Sequence, residues 1–307
     1  MEYVLRTYEL TKQYKRHAAV NKATMSIRRG DIYGFVGENG SGKTTIIRLI
    51  TGLIHPNAGR FELFGIPHTS PDIASARRKI GAVVETPSIY ANMSAYDNLY
   101  MQCTLLGIKD TSKIRETLKA VGLEALHDDK KQAGNFSLGM RQRLGIAMAL
   151  LGEPEFLILD EPMNGLDPAG IVEVRELILR LNRERGITFL ISSHILTELS
   201  LVATKYGIIS KGHVIKEITA EELHDECKGS TVIRAEDPAA LESLLRSLLP
   251  EHSIMANGNS LKVIGQVDLN RILPPILDSG NRILSINCTE MGFEEYYLSL
   301  VGGKRHD

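Results

Sequence analysis

The chain contains 307 residues, of which 43% are hydrophobic and 24% are charged, the composition of a soluble globular protein with a large core. Its 36 basic and 37 acidic side chains give a formal net charge of -1, so no overall positive field attracts nucleic acid phosphates, although a local basic patch is left open. No uninterrupted apolar run approaches the ~20 residues that span a bilayer, so any membrane role would have to come from a partner.

Two further features concern the compartment in which the chain works. Cys103, Cys227 and Cys288 lie far apart and share no metal-ligand spacing, which favours reduced, buried thiols in a cytosolic protein. Residues 1–15 lack the apolar core and the small-residue cleavage site of a secretory signal. We therefore expect a protein that is not exported.

Apolar runs separated by helical stretches predict a layered α/β sheet. The run at 31–36 is followed by a glycine cluster and then by a segment with helical spacing at 44–53. Two more buried strands are predicted at 156–160 and 187–194, and a helix is predicted at 170–185. Strands that are apolar throughout are typical of a parallel sheet covered on both faces.

The predicted pattern of helices and strands changes twice outside this core. Between about 86 and 151 the pattern indicates helices, as expected of an inserted helical subdomain. After residue 228 short strands alternate with helices, which predicts a small C-terminal α+β domain over 228–307, next to a main domain over 1–225. The segment at 291–303 is interpreted as an amphipathic packing helix, with regulation or dimer support as open alternatives.

Residues 37–44, GENGSGKT, satisfy the P-loop pattern between a predicted strand and a predicted helix, a context that an ordinary glycine-rich turn does not explain. Glycines let successive backbone N–H groups converge on the phosphates of ATP, the following helix directs its positive end at them, and Lys43 adds a compact charge. The expected nucleotide-binding residues of this loop are Gly37, Glu38, Asn39, Gly40, Ser41, Gly42, Lys43, Thr44 and Thr45.

Candidate residues for hydrolysis follow from this loop. Thr44 is expected to place its hydroxyl on Mg²⁺, which bridges the β- and γ-phosphates. Asp160 and Glu161 end a predicted strand, so their carboxylates point in different directions, Asp160 towards the metal and Glu161, as general base, towards the attacking water. Without the P-loop such a pair would more often be a solvated corner. His194 could bond the γ-phosphate or the water, although a histidine at a strand end is usually structural; Lys43 completes the catalytic candidates.

The segment at 136–143, FSLGMRQR, lies before FLILDEP and resembles the signature motif of ABC-transporter ATPases. The resemblance extends in the expected order over residues 2 to about 225 and includes the P-loop, the acidic pair and the NGLD stretch at 164–167. It implies a P-loop NTPase core of the ABC type with one nucleotide-binding half, because no second glycine loop is present.

The resemblance also implies roles for residues outside the P-loop. Tyr14 is expected to stack on adenine, with Val20 packing nearby. Ser137 and the Gly139 backbone are expected to contact the γ-phosphate of ATP held by a second copy of the chain, so that dimerisation becomes part of catalysis. Asp167 is expected to lie between the two copies.

The sequence departs from the family pattern at two places. Leu138 and Met140 stand where the commonest signature has glycine and glutamine. Glu85 stands where most of these ATPases have a glutamine that links Mg²⁺ and water to the membrane partner; a carboxylate there could ligate the metal directly, whereas a solvated strand end is the alternative. His194 matches the switch histidine of the family.

Glu85, with SLGMRQRLGIA and NGLDPAG, is similar to the bacitracin-resistance and lantibiotic-immunity subgroup of exporter ATPases. This resemblance implies an ATPase subunit that powers a separate polytopic permease from the cytoplasmic face of the membrane, with no nucleic acid partner expected. A soluble ABC ATPase that acts on nucleic acid or ribosomes is the alternative, although such proteins generally carry two ATPase halves or long coiled-coil insertions. A P-loop kinase would leave the signature segment without a purpose.

Overall fold

The computed structural model describes residues 2–227, 229–265, 267–289 and 292–301. The chain divides into two compact units between Thr219 and Ala220. This division precedes the boundary expected at 225–228, because the helix Ala220–Glu226 belongs to the second unit.

The first unit combines a parallel sheet, an antiparallel sheet and helices. Its strands are β1 (Tyr3–Tyr14), β2 (His17–Arg28), β3 (Ile32–Val36), β4 (Ala58–Leu63), β5 (Ile66–Pro67), β6 (Ile80–Val83), β7 (Phe156–Asp160), β8 (Thr188–Ser193), β9 (Lys205–Ser210) and β10 (His213–Thr219). Its helices are α1 (Lys43–Thr51), α2 (Ile73–Arg77), α3 (Ala95–Leu106), α4 (Ser112–Ala120), α5 (Leu138–Leu150), α6 (Pro168–Arg185) and α7 (Leu196–Ser200).

The central sheet has six strands in the order β10-β9-β3-β8-β7-β6. The five strands from β9 to β6 pair in parallel, and β10 pairs antiparallel with β9 at one edge. Every residue of β3, β7 and β8 is buried, which explains why β3 and β7 are apolar along nearly their whole length and why β8 carries only apolar and hydroxyl side chains. The expected α/β core is thereby confirmed, and the carboxyl ends of β3, β7 and β8 lie at the same edge of the sheet.

A second sheet, with the order β2-β1-β4-β5, is antiparallel and was not anticipated from the sequence. The ladder between β1 and β2 contains several register shifts, and Glu9 and Lys22 have φ values of 48° and 51°. Such irregularities interrupt the alternation of buried and exposed residues on which strand prediction depends. Side chains of this sheet, including Leu5, Val20 and Ile27, join α1 and the central sheet in one hydrophobic core.

The helical subdomain consists of α3, α4, α5 and two short 3₁₀ turns at Glu124–Leu126 and Ala133–Asn135. Helix α3 begins at a capping box in which Ser94 and Asp97 bond each other's backbone N–H groups. Arg180 of α6 donates a hydrogen bond of 2.5 Å to the Ala120 carbonyl at the end of α4. This contact ties the subdomain to the helix that follows the acidic strand end.

The second unit contains α8 (Ala220–Glu226), β11 (Ser230–Ala235), α9 (Pro238–Leu248), β12 (Ile254–Asn257), β13 (Ser260–Ile264), α10 (Leu269–Asp278), β14 (Ile283–Thr289) and α11 (Phe293–Val301). The elements from β11 to β14 follow a β-α-β-β-α-β order, and the antiparallel sheet has the order β12-β13-β11-β14, a ferredoxin-like arrangement. The unit has its own core, which includes Ile233, Leu245, Leu261 and Ile276.

The final helix, α11, lies within the segment 291–303 that was interpreted as a packing helix. Tyr296 and Tyr297 are buried, and the Tyr296 hydroxyl donates a hydrogen bond of 2.5 Å to Glu226 of α8. The ends of the segment, at 291 and 302–303, lie outside the described residues. Across the described ranges, the helices are all too short or too polar to cross a bilayer.

A buried hydrogen-bond network fixes β3 against β9 and β10. The Tyr33 hydroxyl donates a bond of 3.0 Å to Glu217, which also pairs with Lys205 at 3.0 Å. Burial, followed by the Glu217 carboxylate, raises the pKa of Tyr33 well above its usual value, so the phenol stays protonated and remains a donor. The neighbouring Gly207 leaves the space that the Tyr33 ring occupies.

We predict that Gly207→Ala destabilises the first unit by about 1–3 kcal/mol, because a Cβ at that position would overlap the Tyr33 hydroxyl of a fully buried ring. Thermal unfolding measures the effect. Gly152→Ala is the matched control, since a Cβ there meets only Leu106 at 3.9 Å. Equal melting temperatures for the two variants would contradict the prediction.

Candidate nucleotide site

The loop at 37–42 connects the end of β3 to the start of α1. At two positions of this loop the neighbouring backbone lies so close that only glycine fits. A Cβ on Gly37 would overlap the Ile209 carbonyl, and a Cβ on Gly42 would lie 2.5 Å from the Ala19 carbonyl. Gly42 also has a φ of 112°, in the left-handed region that favours glycine. The spacing of these glycines is therefore set by close backbone contacts on both sides of the loop.

The N-terminus of α1 is suited to an anion. Its N-cap, Gly42, provides no side-chain cap, and the first turn contains no acidic residue, whereas α3 and α6 are capped by Ser94 and Asp167. The loop residues Glu38, Asn39 and Gly40, which precede this helix in the chain, are exposed. The buried hydroxyl oxygen of Ser41 has no hydrogen-bond partner in the described part of the chain. These features fit a phosphate group that would accept the free donors.

Lys43 is the first residue of α1, and its side chain is only 5% exposed. The ammonium group donates hydrogen bonds to the carbonyls of Gly37, at 2.6 Å, and Glu38, at 3.2 Å. It also lies 3.3 Å from Oε1 of Glu161. The positive charge is therefore held within the loop itself, where it would reinforce the attraction of the helix terminus for phosphate.

Asp160 is the last residue of β7 and is almost fully buried. Its Oδ2 accepts a hydrogen bond of 2.9 Å from the Thr44 hydroxyl, and its Oδ1 accepts one of 2.5 Å from the Ser192 hydroxyl. A hydroxyl and a carboxylate side by side are the hard oxygen ligands that Mg²⁺ prefers, so both fit the metal predicted from the sequence. Thr45, the next residue of α1, is partly exposed.

Glu161 and His194 form a second pair beside the first. Oε2 of Glu161 lies 2.7 Å from Nδ1 of His194, and Oε1 faces Lys43. The backbone of Glu161 has a φ of 50°, which turns its side chain away from the direction taken by Asp160. The structure thus brings together the three residues expected to be catalytic, and the two consecutive carboxylates have different partners.

Glu85 lies apart from this cluster. Its carboxylate forms an ion pair with the Arg48 guanidinium in the last turn of α1, instead of contacting Thr44 or Asp160. The backbone φ of 61° and a side chain that is 57% exposed mark Glu85 as a constrained surface residue. Direct metal ligation by Glu85 stays a prediction.

Tyr14 and Val20 belong to the hairpin of β1 and β2. Tyr14 is 44% exposed at the end of β1, so its ring offers a surface on which a base can stack. Val20 is fully buried in the core, where it supports β2 and presents no surface to a base. The carbonyl of Ala19 packs against Gly42, which places this hairpin beside the loop.

Ser137, Gly139 and Asp167 lie near one another at the starts of two helices. Ser137 caps α5 through a bond of 3.2 Å from the Met140 N–H group, and Asp167 caps α6 through a bond of 3.2 Å from the Gly170 N–H group. A Cβ built on Gly139 would lie 3.9 Å from Cα of Gly170, so the two helix starts approach closely. Ser137 and Asp167 are both exposed, and neither is bonded to the P-loop of its own chain.

Sequence reasoning missed two residues of this site, Ser192 and Arg48. Ser192 is one of three buried hydroxyl residues of β8, with Thr188 and Ser193, so the sequence pattern alone carries no signal that singles it out. Arg48 follows Thr44 by four residues and therefore shares its helix face, but its pairing with Glu85 depends on a contact across the fold.

The chain is similar to known proteins along nearly its whole length. The family model described as ABC transporter matches residues 20–164. The bacitracin transport ATP-binding protein BcrA of Bacillus licheniformis is 40% identical over 99% of this chain and 99% of its own length. The lantibiotic transport ATP-binding protein SrtF of Streptococcus pyogenes is 43% identical over 214 residues, which are 70% of this chain and 90% of SrtF.

Solved structures show the same fold. The structure of cbiO1 from Clostridium perfringens, described as part of an ABC transporter complex, is 28% identical with a TM-score of 0.65 and covers 82% of this chain and 96% of cbiO1. A nucleotide-free ATP-binding cassette from an ABC transporter is 26% identical with a TM-score of 0.65, covering 73% of this chain and 94% of that chain. Sequence and fold agree, and the chain belongs to the ABC transporter family as an ATP-binding, ATP-hydrolysing subunit.

Proposed function

We propose that two copies of this ATPase enclose ATP and Mg²⁺ and drive a separate membrane permease, which removes a bacitracin-like or lantibiotic-like antimicrobial peptide from the cell. The observation that carries this proposal is the 40% identity to a bacitracin transport ATP-binding protein over 99% of both chains. A likeness of that extent includes the second unit as well as the ATPase unit. The chain acts at the cytoplasmic face of the membrane, to which the permease attaches it.

The second unit favours the bacitracin type over the lantibiotic type. The alignment with the lantibiotic protein spans 214 residues, too few to include both units, whereas the alignment with the bacitracin protein spans 308. The nucleic acid alternative has less support, because the bacitracin and lantibiotic relatives of this chain are named for transport and its net charge is -1. A cationic surface would be needed for strong phosphate-backbone binding.

The residues of the P-loop would hold the triphosphate, and Thr44 and Asp160 would hold Mg²⁺. When bound, Mg²⁺ neutralises charge that develops on the phosphates during transfer. No group of three or more His, Cys, Asp or Glu side chains in the described ranges is placed to hold a metal alone, so the nucleotide would have to contribute ligands. Glu161 would accept a proton from the attacking water, and His194 would hold the Glu161 carboxylate in position through their 2.7 Å contact.

A single copy leaves the phosphate site open on one side. Glu38, Asn39 and Gly40 of the loop are exposed, as are Ser137 and the NGLD stretch of the same chain. Within the described residues, the hydrogen bonds of the exposed Ser137 and Asp167 side chains are to their own helices, which would leave both able to meet a nucleotide held by a second copy. Closure of the two copies on ATP, followed by reopening after hydrolysis, would convert binding energy into motion of the permease.

A cleft beside the central sheet is the surface that we assign to the permease. It has a volume of about 850 Å³ and lies between the edge strand β6, the segment at 84–88 and helices α3 and α5. Its lining includes apolar Ala82, Leu106, Ile108 and Met148 and charged Arg78 and Lys113. Glu85 lies in the segment at 84–88, between the lining residues Val84 and Thr86, and pairs with Arg48 of the P-loop helix. A change at the cleft could therefore reach the nucleotide through α1.

We predict that Glu161→Gln abolishes ATP hydrolysis but retains ATP, because the amide keeps the shape of the side chain and cannot accept the proton. The variant should accumulate as an ATP-bound dimer, which size-exclusion chromatography with bound-nucleotide analysis would detect. Lys43→Ala should instead lose nucleotide binding, since it removes the charge held within the loop. Glu184→Gln, on the exposed end of α6, is the matched control and should hydrolyse ATP as the wild type does.

Ala82→Arg is predicted to block the permease without affecting nucleotide binding. Ala82 is exposed on β6 and lines the cleft, so a long charged side chain there would occupy the proposed docking surface. Co-purification with the membrane partner should fall, while ATP affinity measured by calorimetry should not change. Ile215→Arg, which changes an exposed residue of β10, serves as the control. Undiminished co-purification of Ala82→Arg would remove the cleft from the proposal.

Glu85→Gln is predicted to weaken resistance of cells to the peptide more than it weakens ATP affinity. The substitution removes the charge that pairs with Arg48, on the face of α1 that also carries Thr44, and leaves the P-loop unchanged. Minimum inhibitory concentrations of bacitracin in cells that carry the variant and its permease would measure the first effect. Unchanged resistance would contradict a coupling role for Glu85.

A further inference from the structure

Ser192 lies at the centre of the site without being exposed to it. It is the fifth residue of β8, which is bordered by β3 on one side and β7 on the other. In the two ladders it pairs with Phe35 and with Asp160. Its side chain is completely buried, so it cannot touch a nucleotide itself.

The Ser192 hydroxyl contacts two consecutive residues that have different roles. It donates a hydrogen bond of 2.5 Å to Oδ1 of Asp160, and it accepts one of 2.9 Å from the Glu161 N–H group. The other carboxylate oxygen of Asp160 accepts the hydroxyl of Thr44. With Oδ1 held by Ser192, Oδ2 is the oxygen that remains directed at Thr44 and the expected metal position.

The backbone of Glu161 needs such a contact. Its φ of 50° lies in the left-handed region, which costs of order 1 kcal/mol or more for a residue with a side chain. The Glu161 N–H group is shared between the hydroxyl and the carbonyl of Ser192, at 2.9 and 3.2 Å. This backbone conformation directs the Glu161 carboxylate to Lys43 and His194.

We propose that Ser192 is a positioning residue for ATP hydrolysis, whose single hydroxyl sets the orientation of the Asp160 carboxylate and of the Glu161 backbone together. This inference rests on the ATPase function and on the proposed use of Mg²⁺. It predicts that loss of the hydroxyl uncouples nucleotide binding from the metal-dependent step, because the P-loop contacts with phosphate do not involve Ser192. A hydroxyl that only satisfied a buried carboxylate would affect stability and nothing else.

Ser192→Ala tests this inference in the full-length protein. Calorimetric titration with ATP in EDTA should give the wild-type affinity, whereas the gain in affinity on adding Mg²⁺ should shrink about tenfold, the effect of removing one donor from a buried carboxylate. The turnover number for ATP should fall, and its half-maximal Mg²⁺ concentration should rise. The melting temperature is recorded for each variant, so that a loss of folded protein is not mistaken for a loss of function.

Two variants provide the comparison. Ser193→Ala removes the neighbouring hydroxyl, whose hydrogen bonds in the described part of the chain are to the backbone of Ile195, and it should preserve both the Mg²⁺ effect and the turnover number. Ser192→Thr restores the hydroxyl and should recover most of the Mg²⁺ effect. If Ser192→Ala does not fold, the same titrations on Ser192→Cys, which keeps a weaker donor of similar size, decide the question, with an intermediate loss expected.

The outcomes separate this inference from the proposed function. A wild-type protein that neither binds nor hydrolyses ATP with Mg²⁺ would overturn both. A wild-type protein that hydrolyses ATP, together with a Ser192→Ala variant that keeps the wild-type Mg²⁺ dependence, would overturn the role of Ser192 alone. A lower melting temperature with unchanged Mg²⁺ dependence would likewise show that Ser192 only stabilises the fold.

Discussion

The uncapped N-terminus of α1 is the constraint on which the arrangement of the site depends. A helix start without a side-chain cap has backbone donors that need an acceptor, and here the buried Ser41 hydroxyl adds another. Gly37 and Gly42 allow the loop to pass so close to its neighbours that these donors converge. An anion at this position would accept hydrogen bonds from these donors, and the remaining site residues lie where they can act on that anion.

The parallel sheet determines which residues those are. Strands β3, β7 and β8 end at the same edge, so the residues that follow them meet although they are far apart in sequence. Asp160 and Ser192 occupy paired positions on adjacent strands, and His194 follows two residues later. The left-handed backbone of Glu161 then separates two consecutive carboxylates, one directed at Thr44 and one at His194. The different partners of the two carboxylates therefore originate in backbone geometry.

Much of this arrangement could be predicted because it is local. The P-loop, the buried strands and the helix of residues 168–185 are specified by contiguous patterns, and the fold class was confirmed. The antiparallel sheet was missed because bulges near Glu9 and Lys22 disrupt the alternation of its strands. The partners of Ser192 and Arg48 could not be predicted, since they depend on strand register and on contacts between segments 32 and 37 residues apart. Val20 is fully buried in the packed core, and its expected position near adenine stays a prediction.

Glu85 stands at a position where the family resemblance leads one to expect glutamine. Its ion pair with Arg48 gives this difference a physical consequence. A neutral amide would remove the negative charge that pairs with the Arg48 guanidinium in this chain. Thr44 and Arg48 share a face of α1, so a nucleotide held at Thr44 and the segment of Glu85 would act on the same helix one turn apart. Exposed ion pairs contribute little to stability, typically below about 1 kcal/mol, and can be broken and reformed at small cost. A contact of that strength is better suited to changing partners during a catalytic cycle than to holding the fold together, which supports the proposed coupling role of Glu85.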